Sequence, residues 1–298
     1  MINKNHSRLL VDVQVRVGNS TGPVDLDGRS RTLMAPSFAV DAPFRRASRQ
    51  RNADHHFTVV ALPAYRAELT LEQTVRDLPE SWADHLLLVD DCSSDGTVEL
   101  ARRLGIDVRV HDRNRGYGAN QKTCYREALD LGATVIVLLH PDYQYDPQAV
   151  PALVAPILAG TADFTFGSRF ACAGDPRAGG MPRYRYWGNR LSTIIENLLL
   201  RTHFTEMHSG MKAYSRRFLE SVSFENYSDD FVFDTEILVD AVVRGFRIQE
   251  VAIPTRYTNE CSSINVRRSV RYIAQSIGAC AAARRRLRAG QALSRLSG

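Results

Sequence analysis

The sequence predicts an α/β protein with a mostly parallel central sheet that carries helices on both faces. Between residues 57 and 167, short apolar segments alternate with longer segments whose apolar residues recur at helical spacing. This alternation is typical of sheets built from strand–helix–strand units. Residues 134–139 form a nearly continuous apolar run, which indicates a parallel strand buried on both faces.

Nine elements follow from this pattern in chain order. The predicted strands are residues 57–62, 86–89, 106–110, 134–139 and 163–167. The predicted helices between them are residues 69–78, 94–104, 119–131 and 147–159. The first helix places Leu71, Val75 and Leu78 on one face. The Ser-Asp pair at 94–95 can cap the second helix, and Pro147 suits the first turn of the fourth.

The second half of the chain has a more mixed pattern. Helices are predicted over residues 185–200, 230–244 and 266–288. In the last of these, four aliphatic residues recur at helical spacing, namely Val266, Val270, Ile273 and Ile277. We interpret this stripe as core packing, with a surface facing a membrane or a partner as the alternative.

Three parts are predicted along the chain. Residues 1–55 show little periodicity and many polar residues, so they are expected to form a partly flexible extension with a short hairpin near Leu9 to Val17. Residues 56–280 are expected to form one domain. Residues 281–298 are expected to form a basic C-terminal tail.

The composition is that of an ordinary soluble protein, with 298 residues, 44% hydrophobic and 24% charged. No apolar run reaches the roughly 18 residues that a membrane helix needs, and the first residues lack the apolar block of a secretory signal. The five cysteines are widely spaced and include no Cys-x-x-Cys pair. They indicate reduced thiols and therefore a cytoplasmic protein.

The formal net charge is +5, and arginines cluster near both ends of the chain. The clusters are Arg45, Arg46, Arg49 and Arg51, and Arg284, Arg285, Arg286 and Arg288. They are either solvated tails or sites of attraction to an anionic membrane surface or a phosphorylated acceptor. A peripheral position on the inner face of the membrane therefore stays open. Nucleic acid is not expected as a partner, because no aromatic residues interleave with these arginines.

Three polar loops follow predicted strands at the same edge of the sheet. They are residues 63–68, 90–97 and 140–146, and the last holds an imidazole, two carboxylates and an amide. Each loop alone could be a packed or capped turn. Since open α/β sheets bind ligands at the carboxyl ends of their strands, the three together predict one crevice able to hold a divalent cation and a diphosphate.

Two common nucleotide sites are not supported. A dinucleotide-binding domain needs Gly-x-Gly-x-x-Gly directly after the first strand, where this chain has Pro63-Ala64-Tyr65. The pair Gly116 and Gly118 follows the third strand and lacks the third glycine. A P-loop is also missing from the sequence. NAD and Walker-type ATP binding are therefore not expected.

Six motifs in order give the chain a clear resemblance. They are Val59–Tyr65, Leu88–Thr97, Asn114–Gly118, His140–Asp146, Gly167–Phe170 and Ser209–Tyr214. Over roughly residues 57–275 the chain resembles glycosyltransferase family 2, nearest to the branch of dolichyl-phosphate mannose synthases and polyprenyl-phosphate glycosyltransferases. The resemblance implies a GT-A fold, with a Rossmann-like mostly parallel sheet and a mixed C-terminal half on the acceptor side.

The resemblance also implies which residues bind the nucleotide sugar. They would be Pro63, Tyr65, Glu68, Asp91, Gly116, Gly118, Asn120, Lys122, Asp142 and Lys212. Asp91 would accept a hydrogen bond from the ring N–H of uracil or guanine. The two glycines would let the backbone approach the nucleotide. The expected donors are UDP-, GDP- or dTDP-linked sugars, and the acceptor is unknown.

The same resemblance implies a divalent cation, Mn²⁺ or Mg²⁺, held mainly by Asp142 with Gln144 in support and His140 as a further candidate. The cation and basic side chains would stabilise the charge that grows on the leaving diphosphate. Arg169, Arg185 and Lys212 would contact the sugar or phosphates, although Lys212 and Arg185 could equally lie on the surface. Asp234 and Glu236, with Arg169, are the catalytic candidates, and the two carboxylates could instead be on a solvated helix face.

Two departures from the family pattern bear on the chemistry. The family usually has Asp-x-Asp where this chain has His140-Pro141-Asp142. Imidazole suits manganese better than magnesium, so either the site prefers Mn²⁺ or His140 lies outside the coordination shell. Polyprenyl-phosphate transferases usually carry Gly-x-Ser-Lys near residues 259–264, where Ile264 takes the lysine position.

The expected function is therefore metal-dependent transfer of a sugar from a nucleotide-diphosphate sugar, with inversion implied by the resemblance. The acceptor is either a lipid-linked or cell-surface glycan intermediate, or a soluble small molecule. A nucleotidyltransferase would usually show a Gly-rich basic loop after the first strand, which is missing here. A non-catalytic homologue that binds a nucleotide sugar stays open because of His140.

Overall fold

A computed structural model describes residues 56–171, 176–255 and 266–296. The predicted extension over residues 1–55, its hairpin and its arginines lie outside the described residues, as does the segment 259–264. The described strands are β1 (Thr58–Ala64), β2 (His85–Asp90), β3 (Asp107–Val110), β4 (Val135–Leu138), β5 (Phe164–Ser168), β6 (Lys212–Ser215) and β7 (Ile248–Ala252). They form one sheet in the order β3-β2-β1-β4-β6-β5-β7.

The described α-helices lie between and after these strands. They are α1 (Leu71–Arg76), α2 (Thr97–Arg103), α3 (Tyr117–Asp130), α4 (Val150–Leu158), α5 (Arg183–Leu200), α6 (Arg216–Ser221), α7 (Phe233–Val243) and α8 (Val266–Leu296). The five strands and four helices predicted up to residue 167 are all present, with ends shifted by a few residues. Such shifts are ordinary for helix ends, which fray.

Strand pairing explains why the first half of the chain could be predicted. β1 pairs in parallel with both β2 and β4, so that Val60 lies beside Leu86 on one side and Val137 on the other. Every residue of β1 and β4 is buried, as expected for strands covered on both faces. β6 lies antiparallel between β4 and β5, which makes the sheet mixed.

Apolar side chains cover both faces of the sheet in two clusters. One cluster packs beneath α3 and α7 and includes Tyr125, Phe164 and Tyr214, whose rings stack or meet edge to face. The other packs beneath α1 and α4 and includes Leu71 and Leu153. The helices therefore lie on both faces of the sheet, as predicted.

Helix α8 differs from its prediction in two respects. It continues through residue 281 to Leu296, so the expected basic tail begins inside a helix, while the division into domains stays a prediction. Val270 is 63% exposed, so the interpretation of its stripe as core packing was wrong at that position. Across the described residues, no helix is both long and apolar enough to span a membrane.

Candidate active site

The loops that follow β1, β2 and β4 line one crevice of about 1160 Å³ at the carboxyl ends of these strands. Each loop holds one non-glycine residue in the left-handed backbone region, with Arg66 at φ 55°, Cys92 at 62° and Tyr143 at 56°. This conformation costs about 1–2 kcal/mol for a residue with a Cβ. Strained backbone of this kind concentrates at functional sites, and each of the three residues directly follows a residue that lines the crevice.

The predicted base-binding residues separate into two groups. Pro63 and Tyr65 line the crevice, and the Tyr65 ring is 45% exposed, so it presents an aromatic face that a base could stack on. Glu68 is directed elsewhere, since its carboxylate accepts a hydrogen bond from Gly96 N at 2.9 Å. Glu68 therefore joins the first loop to the second.

Asp91 lines the crevice, but its carboxylate also holds the backbone of the next loop. Its Oδ1 accepts a hydrogen bond from Arg115 N at 2.8 Å and lies 2.8 Å from His111 Nδ1. Its Oδ2 accepts a hydrogen bond from Gly116 N at 2.9 Å. Any contact between Asp91 and a base would add to these bonds, which fix residues 115–116 at the edge of the crevice.

Gly116 and Gly118 are required by a close contact with a second loop. Gly116 has φ 102°, and a Cβ there would lie 2.8 Å from Asp229 O. A Cβ on Gly118 would overlap Ser228 O. Gly118 N donates a hydrogen bond to Asp229 O at 2.8 Å. The glycines therefore bring the start of α3 against residues 228–229, and their predicted contact with a nucleotide stays a prediction.

Asn120 and Lys122 stabilise the loops around the crevice. Asn120 lines it and donates hydrogen bonds from Nδ2 to Val89 O at 3.0 Å and Ala64 O at 3.3 Å, which join β1 to β2. The Lys122 ammonium lies 2.7 Å from Asp229 Oδ1 and also donates to Tyr227 O. Lys122 thus holds the loop that contacts the glycines, which the sequence gave no reason to expect.

Asp234 is the centre of a buried polar network. It lies at the start of α7, lines the crevice and is 5% exposed. Tyr117 Oη donates to its Oδ2 at 2.7 Å, and Gln121 Nε2 donates to its Oδ1 at 3.1 Å. Lys212 Nζ lies 2.5 Å from the same Oδ1. The carboxylate therefore connects α3, β6 and α7 directly behind the crevice.

Lys212 and Glu236, the other two predicted site residues near Asp234, do not line the crevice. Lys212 is 2% exposed and lies behind Asp234; burial lowers its pKa, and the Asp234 carboxylate opposes that shift. Glu236 is directed to Ser228 N, which donates to its Oε2 at 2.7 Å. Of the two predicted carboxylate catalysts, the structure brings Asp234 to the crevice and uses Glu236 to hold the 228–229 loop.

His140 belongs to the same network through Tyr117. The two rings stack with centroids 5.3 Å apart, and His140 Nε2 lies 3.2 Å from Tyr117 Oη. Because the tyrosine donates its single proton to Asp234, it can only accept from His140. Burial lowers the pKa of His140, and a hydrogen on Nε2 of the neutral ring would satisfy the contact with Tyr117 Oη. Coordination of a cation by His140, which stays a prediction, would have to use Nδ1.

Asp142 and Gln144 provide oxygen atoms at the floor of the crevice. Both residues line it, and Asp142 is 9% exposed. Gln144 N donates to Asp142 Oδ1 at 3.1 Å, which orients the carboxylate. Within the described residues, no three His, Cys, Asp or Glu side chains gather into a cation cluster. The carboxylate and amide oxygens fit a hard divalent cation that completes its shell with diphosphate and water.

Arg169, which follows β5, and Arg185, on α5, are the two predicted arginine contacts. Arg169 is buried against Glu206: its guanidinium pairs with Oε1, and its backbone N donates to Oε2 at 2.8 Å. Arg185 Nε lies 3.1 Å from Tyr184 Oη on α5. Both arginines line the crevice, and their contact with sugar or phosphate stays a prediction.

Apart from Arg185, the wall formed by α5 and α8 was not predicted from the sequence. It consists of His208, of Tyr184, Arg185, Gly188 and Asn189 on α5, and of residues 268–273 on α8. His208 Nδ1 lies 2.8 Å from Tyr272 Oη, and its Nε2 lies 2.8 Å from Ser192 Oγ and 3.2 Å from Glu196 Oε2. These partners are far apart in sequence, so only the fold brings them together.

The described crevice thus combines exposed aromatic, acidic and basic side chains at the carboxyl edge of an α/β sheet. The family model for glycosyl transferase family 2 matches residues 59–223, which is more than half of the 298-residue chain. The chain belongs to glycosyltransferase family 2. The resemblance found in the six sequence motifs is therefore confirmed.

Two named glycosyltransferases and one uncharacterized protein are among the relatives of this chain. An uncharacterized protein of Methanocaldococcus jannaschii is 30% identical over 207 residues, which cover 70% of this chain and 84% of that protein. The UDP-N-acetylglucosamine–dolichyl-phosphate N-acetylglucosaminyltransferase of Methanococcus voltae is 26% identical, covering 66% and 84%. The polyprenol monophosphomannose synthase of Mycolicibacterium smegmatis is 29% identical, covering 66% and 76%.

Comparison with the solved structure of another protein supports the fold. Glucosyl-3-phosphoglycerate synthase from Mycobacterium tuberculosis, in complex with Mn²⁺, UDP and phosphoglyceric acid, superposes with a TM-score of 0.59 at 18% identity. The alignment covers 77% of this chain and 78% of that one. The GT-A prediction is confirmed, and the protein is a nucleotide-sugar glycosyltransferase.

Proposed function

We propose that this enzyme transfers a sugar from a UDP-sugar to the phosphate of a polyprenyl phosphate, with a divalent cation and with inversion by in-line displacement. It would act in the cytoplasm at the inner face of the membrane. The observation that carries the proposal is the composition of the wall formed by α5 and α8, called the acceptor end below. This wall contributes Arg185, Arg268 and Arg271 but no carboxylate to the described lining of the crevice. The part lined by Tyr65, Asp142 and Gln144 is called the donor end.

The donor end suits a nucleoside diphosphate. Tyr65 offers an exposed ring for the base, and Asp142 with Gln144 would hold a cation against the diphosphate. When bound, that cation would supply positive charge where the leaving diphosphate becomes more negative. UDP is the preferred nucleotide because UDP and Mn²⁺ occupy the structure of glucosyl-3-phosphoglycerate synthase. GDP and dTDP sugars are the alternatives.

The acceptor end suits a phosphate. Arg185, Arg268 and Arg271 line this part of the crevice. Among the described lining residues, every carboxylate comes from outside α5 and α8. Clustered guanidinium groups recognise phosphate through charge-assisted hydrogen bonds. The relatives from Methanococcus voltae and Mycolicibacterium smegmatis are named for dolichyl-phosphate and polyprenol acceptors, which supports a lipid-borne phosphate.

The contacts of Asp234 also support a phosphate acceptor. A hydroxyl acceptor must lose a proton to a base within hydrogen-bond reach, whereas a phosphate is already ionised. Both oxygens of Asp234 are engaged by Tyr117, Gln121 and Lys212. This arrangement suits a residue that holds the crevice wall, and it fits an acceptor that needs no strong base.

A soluble phosphorylated molecule is the second candidate acceptor. The same arginines could bind it, and glucosyl-3-phosphoglycerate synthase holds phosphoglyceric acid in its solved complex. The two candidates share phosphate chemistry and differ in the lipid tail. An acceptor comparison can therefore separate them without changing the donor.

The test supplies radiolabelled UDP-, GDP- and dTDP-sugars with Mn²⁺ to either a short-chain prenyl phosphate or 3-phosphoglycerate. Label that enters the organic phase from a UDP-sugar supports the proposal, and label in an aqueous phosphoglycerate product supports the second candidate. Asp142→Asn is the matched control, and it should abolish Mn²⁺-dependent UDP binding in calorimetry. Unchanged UDP affinity in that variant would refute the assigned cation site.

A further inference from the structure

Helix α5 exposes a row of apolar side chains and buries polar ones. Trp187, Leu191, Ile194 and Leu198 are between 52% and 68% exposed; they are called the α5 outer face below. On the other side of the helix, Ser192, Thr193 and Glu196 are buried. Successive members of the outer face are three or four residues apart, so they form one continuous apolar stripe.

Exposed large apolar side chains are concentrated on α5 within the described part of the chain. Five of the nine large apolar side chains that are strongly exposed lie on α5, counting Tyr184, and one more, Val270, lies on α8. Single exposed apolar residues are common on soluble proteins, but a contiguous apolar patch usually marks an interaction site. The α5 outer face is therefore expected to bind a partner that has an apolar surface.

Basic side chains surround the stripe. Arg183 and Arg190 on α5 and Arg201, which directly follows it, are exposed. Glu196, the one acidic residue of that helix, is buried. Helix α8 contains arginines but neither Asp nor Glu. Arg284 Nη1 donates to Leu198 O at 2.8 Å, which places the start of the 284–288 arginine run beside the end of the outer face.

We infer that the α5 outer face and the flanking arginines dock on an anionic lipid bilayer, with α5 lying in the plane of the interface. An apolar face rich in Trp and Leu, bordered by arginines, is the pattern of interfacial helices. Basic residues near an anionic lipid surface add electrostatic attraction. A second copy of the chain fits this face less well, because two such surfaces would bring arginines together without acidic partners.

The docking surface deepens the proposed function, on which its biological role rests. Tyr184 and Val270 are strongly exposed and also line the crevice. The mouth of the acceptor end therefore borders the surface that would contact the lipid. A polyprenyl phosphate could present its phosphate to Arg185 and Arg271 while its tail stays in the bilayer.

Fluorescence of Trp187 tests the surface directly. The chain has two tryptophans, so Trp82→Phe leaves Trp187 as the single reporter. Vesicles of phosphatidylcholine with phosphatidylglycerol, free of prenyl phosphate, should shift its emission to shorter wavelength and allow quenching by brominated lipid. Vesicles of phosphatidylcholine alone should do so much less, and added salt should weaken the effect. Emission unchanged by anionic vesicles overturns the inference.

Sedimentation with the same vesicles supplies matched variants. Leu191→Glu with Leu198→Glu should lower the partition coefficient on the order of 100-fold, because two apolar side chains lose their burial in lipid. Leu69→Glu changes a leucine that is 80% exposed elsewhere and should sediment like the wild type. Equal sedimentation of all three proteins, or a Trp187 shift that follows protein concentration and reports a dimer, overturns the inference.

The proposed function is measured separately by radiolabel transfer to a short-chain prenyl phosphate without vesicles. The double variant should keep this activity, since Leu191 and Leu198 are not among the crevice-lining residues. Vesicle binding without transfer would contradict the proposed function and leave the docking surface intact. Transfer without vesicle binding would contradict the docking surface and leave the proposed function intact.

Discussion

Lys212 on β6 and Asp234 on α7 form a buried ion pair, with Nζ 2.5 Å from Oδ1. The pair joins strand β6 to helix α7, whose Asp234 lines the crevice. Removing one partner of a buried pair leaves the other charge without compensation, which costs more than the pair contributes. The region behind the crevice therefore depends on both residues.

Lys212→Met is expected to lower the free energy of unfolding by about 3–5 kcal/mol. The cause is the Asp234 charge that stays buried without its ammonium partner. Adding Asp234→Asn to this variant should recover part of the loss, because the amide is neutral. Urea unfolding of the single and double variants measures both effects, and equal stability of the two proteins would show that Asp234 is not the charge at issue.

Asp234 and Glu236 are expected to differ in their effect on turnover. Asp234→Asn should lower kcat/KM for sugar transfer by about 10²-fold or more, because the crevice loses the anion that orients Tyr117 and Lys212. Glu236→Gln keeps an oxygen that can accept from Ser228 N, so its rate should stay near that of the wild type. Steady-state kinetics on both variants checks this, and equal losses would contradict the placement of Glu236.

The parts of this site that could be predicted depended on local signals. The apolar runs of β1 and β4 specify buried parallel strands, and the polar residues after them, such as Asp142, then meet at one edge. β6 was missed because Lys212 and Ser215 make it look polar. Its lysine is buried only because Asp234, on another element, neutralises it. Tyr117 was missed for the same reason, since its partners are distant in sequence.

Cys92 offers a test of strain in the second crevice loop. Its φ of 62° lies in the left-handed region, and its side chain is exposed. Cys92→Gly should raise the free energy of unfolding by about 0.5–1 kcal/mol, since relief of the Cβ strain exceeds the added chain entropy of glycine. Thermal unfolding under reducing conditions measures the change. Cys92→Ala keeps the strain and should show no such gain.

Asp163 links the starts of β5 and β7 and makes stability depend on pH. Arg247 Nε and Nη2 donate to its two oxygens at 2.9 Å, and these hydrogen bonds lower the pKa of Asp163 below 3.8. The folded state therefore binds the proton less readily than the unfolded chain. The resulting stability is full above the unfolded pKa and is lost as pH falls through the folded one.

Asp163→Asn should accordingly cost on the order of 2 kcal/mol at neutral pH, and the difference from the wild type should shrink below about pH 4. Urea unfolding across this pH range provides the measurement. Asp112→Asn is the control, because its pair with Arg115 is exposed and should contribute little. A difference for Asp163→Asn that is independent of pH would show that packing, not the charge, is responsible.

Gly118 should tolerate no side chain, because the start of α3 is pressed against the 228–229 loop. A Cβ there would overlap Ser228 O and lie 2.9 Å from Phe233 Cβ, and neither the backbone nor the buried ring can easily move. Gly118→Ala is therefore expected to destabilise the protein by about 1–3 kcal/mol and to weaken UDP binding, since Ser228 and Asp229 line the crevice. Gly278→Ala places the same methyl on α8 with nothing within 4 Å, and it should be neutral or slightly stabilising through helix propensity. Denaturant unfolding and UDP calorimetry on the two variants separate the contact from a general effect of alanine. If Gly118→Ala unfolds and binds like Gly278→Ala, the close approach of these two loops is not needed for the site.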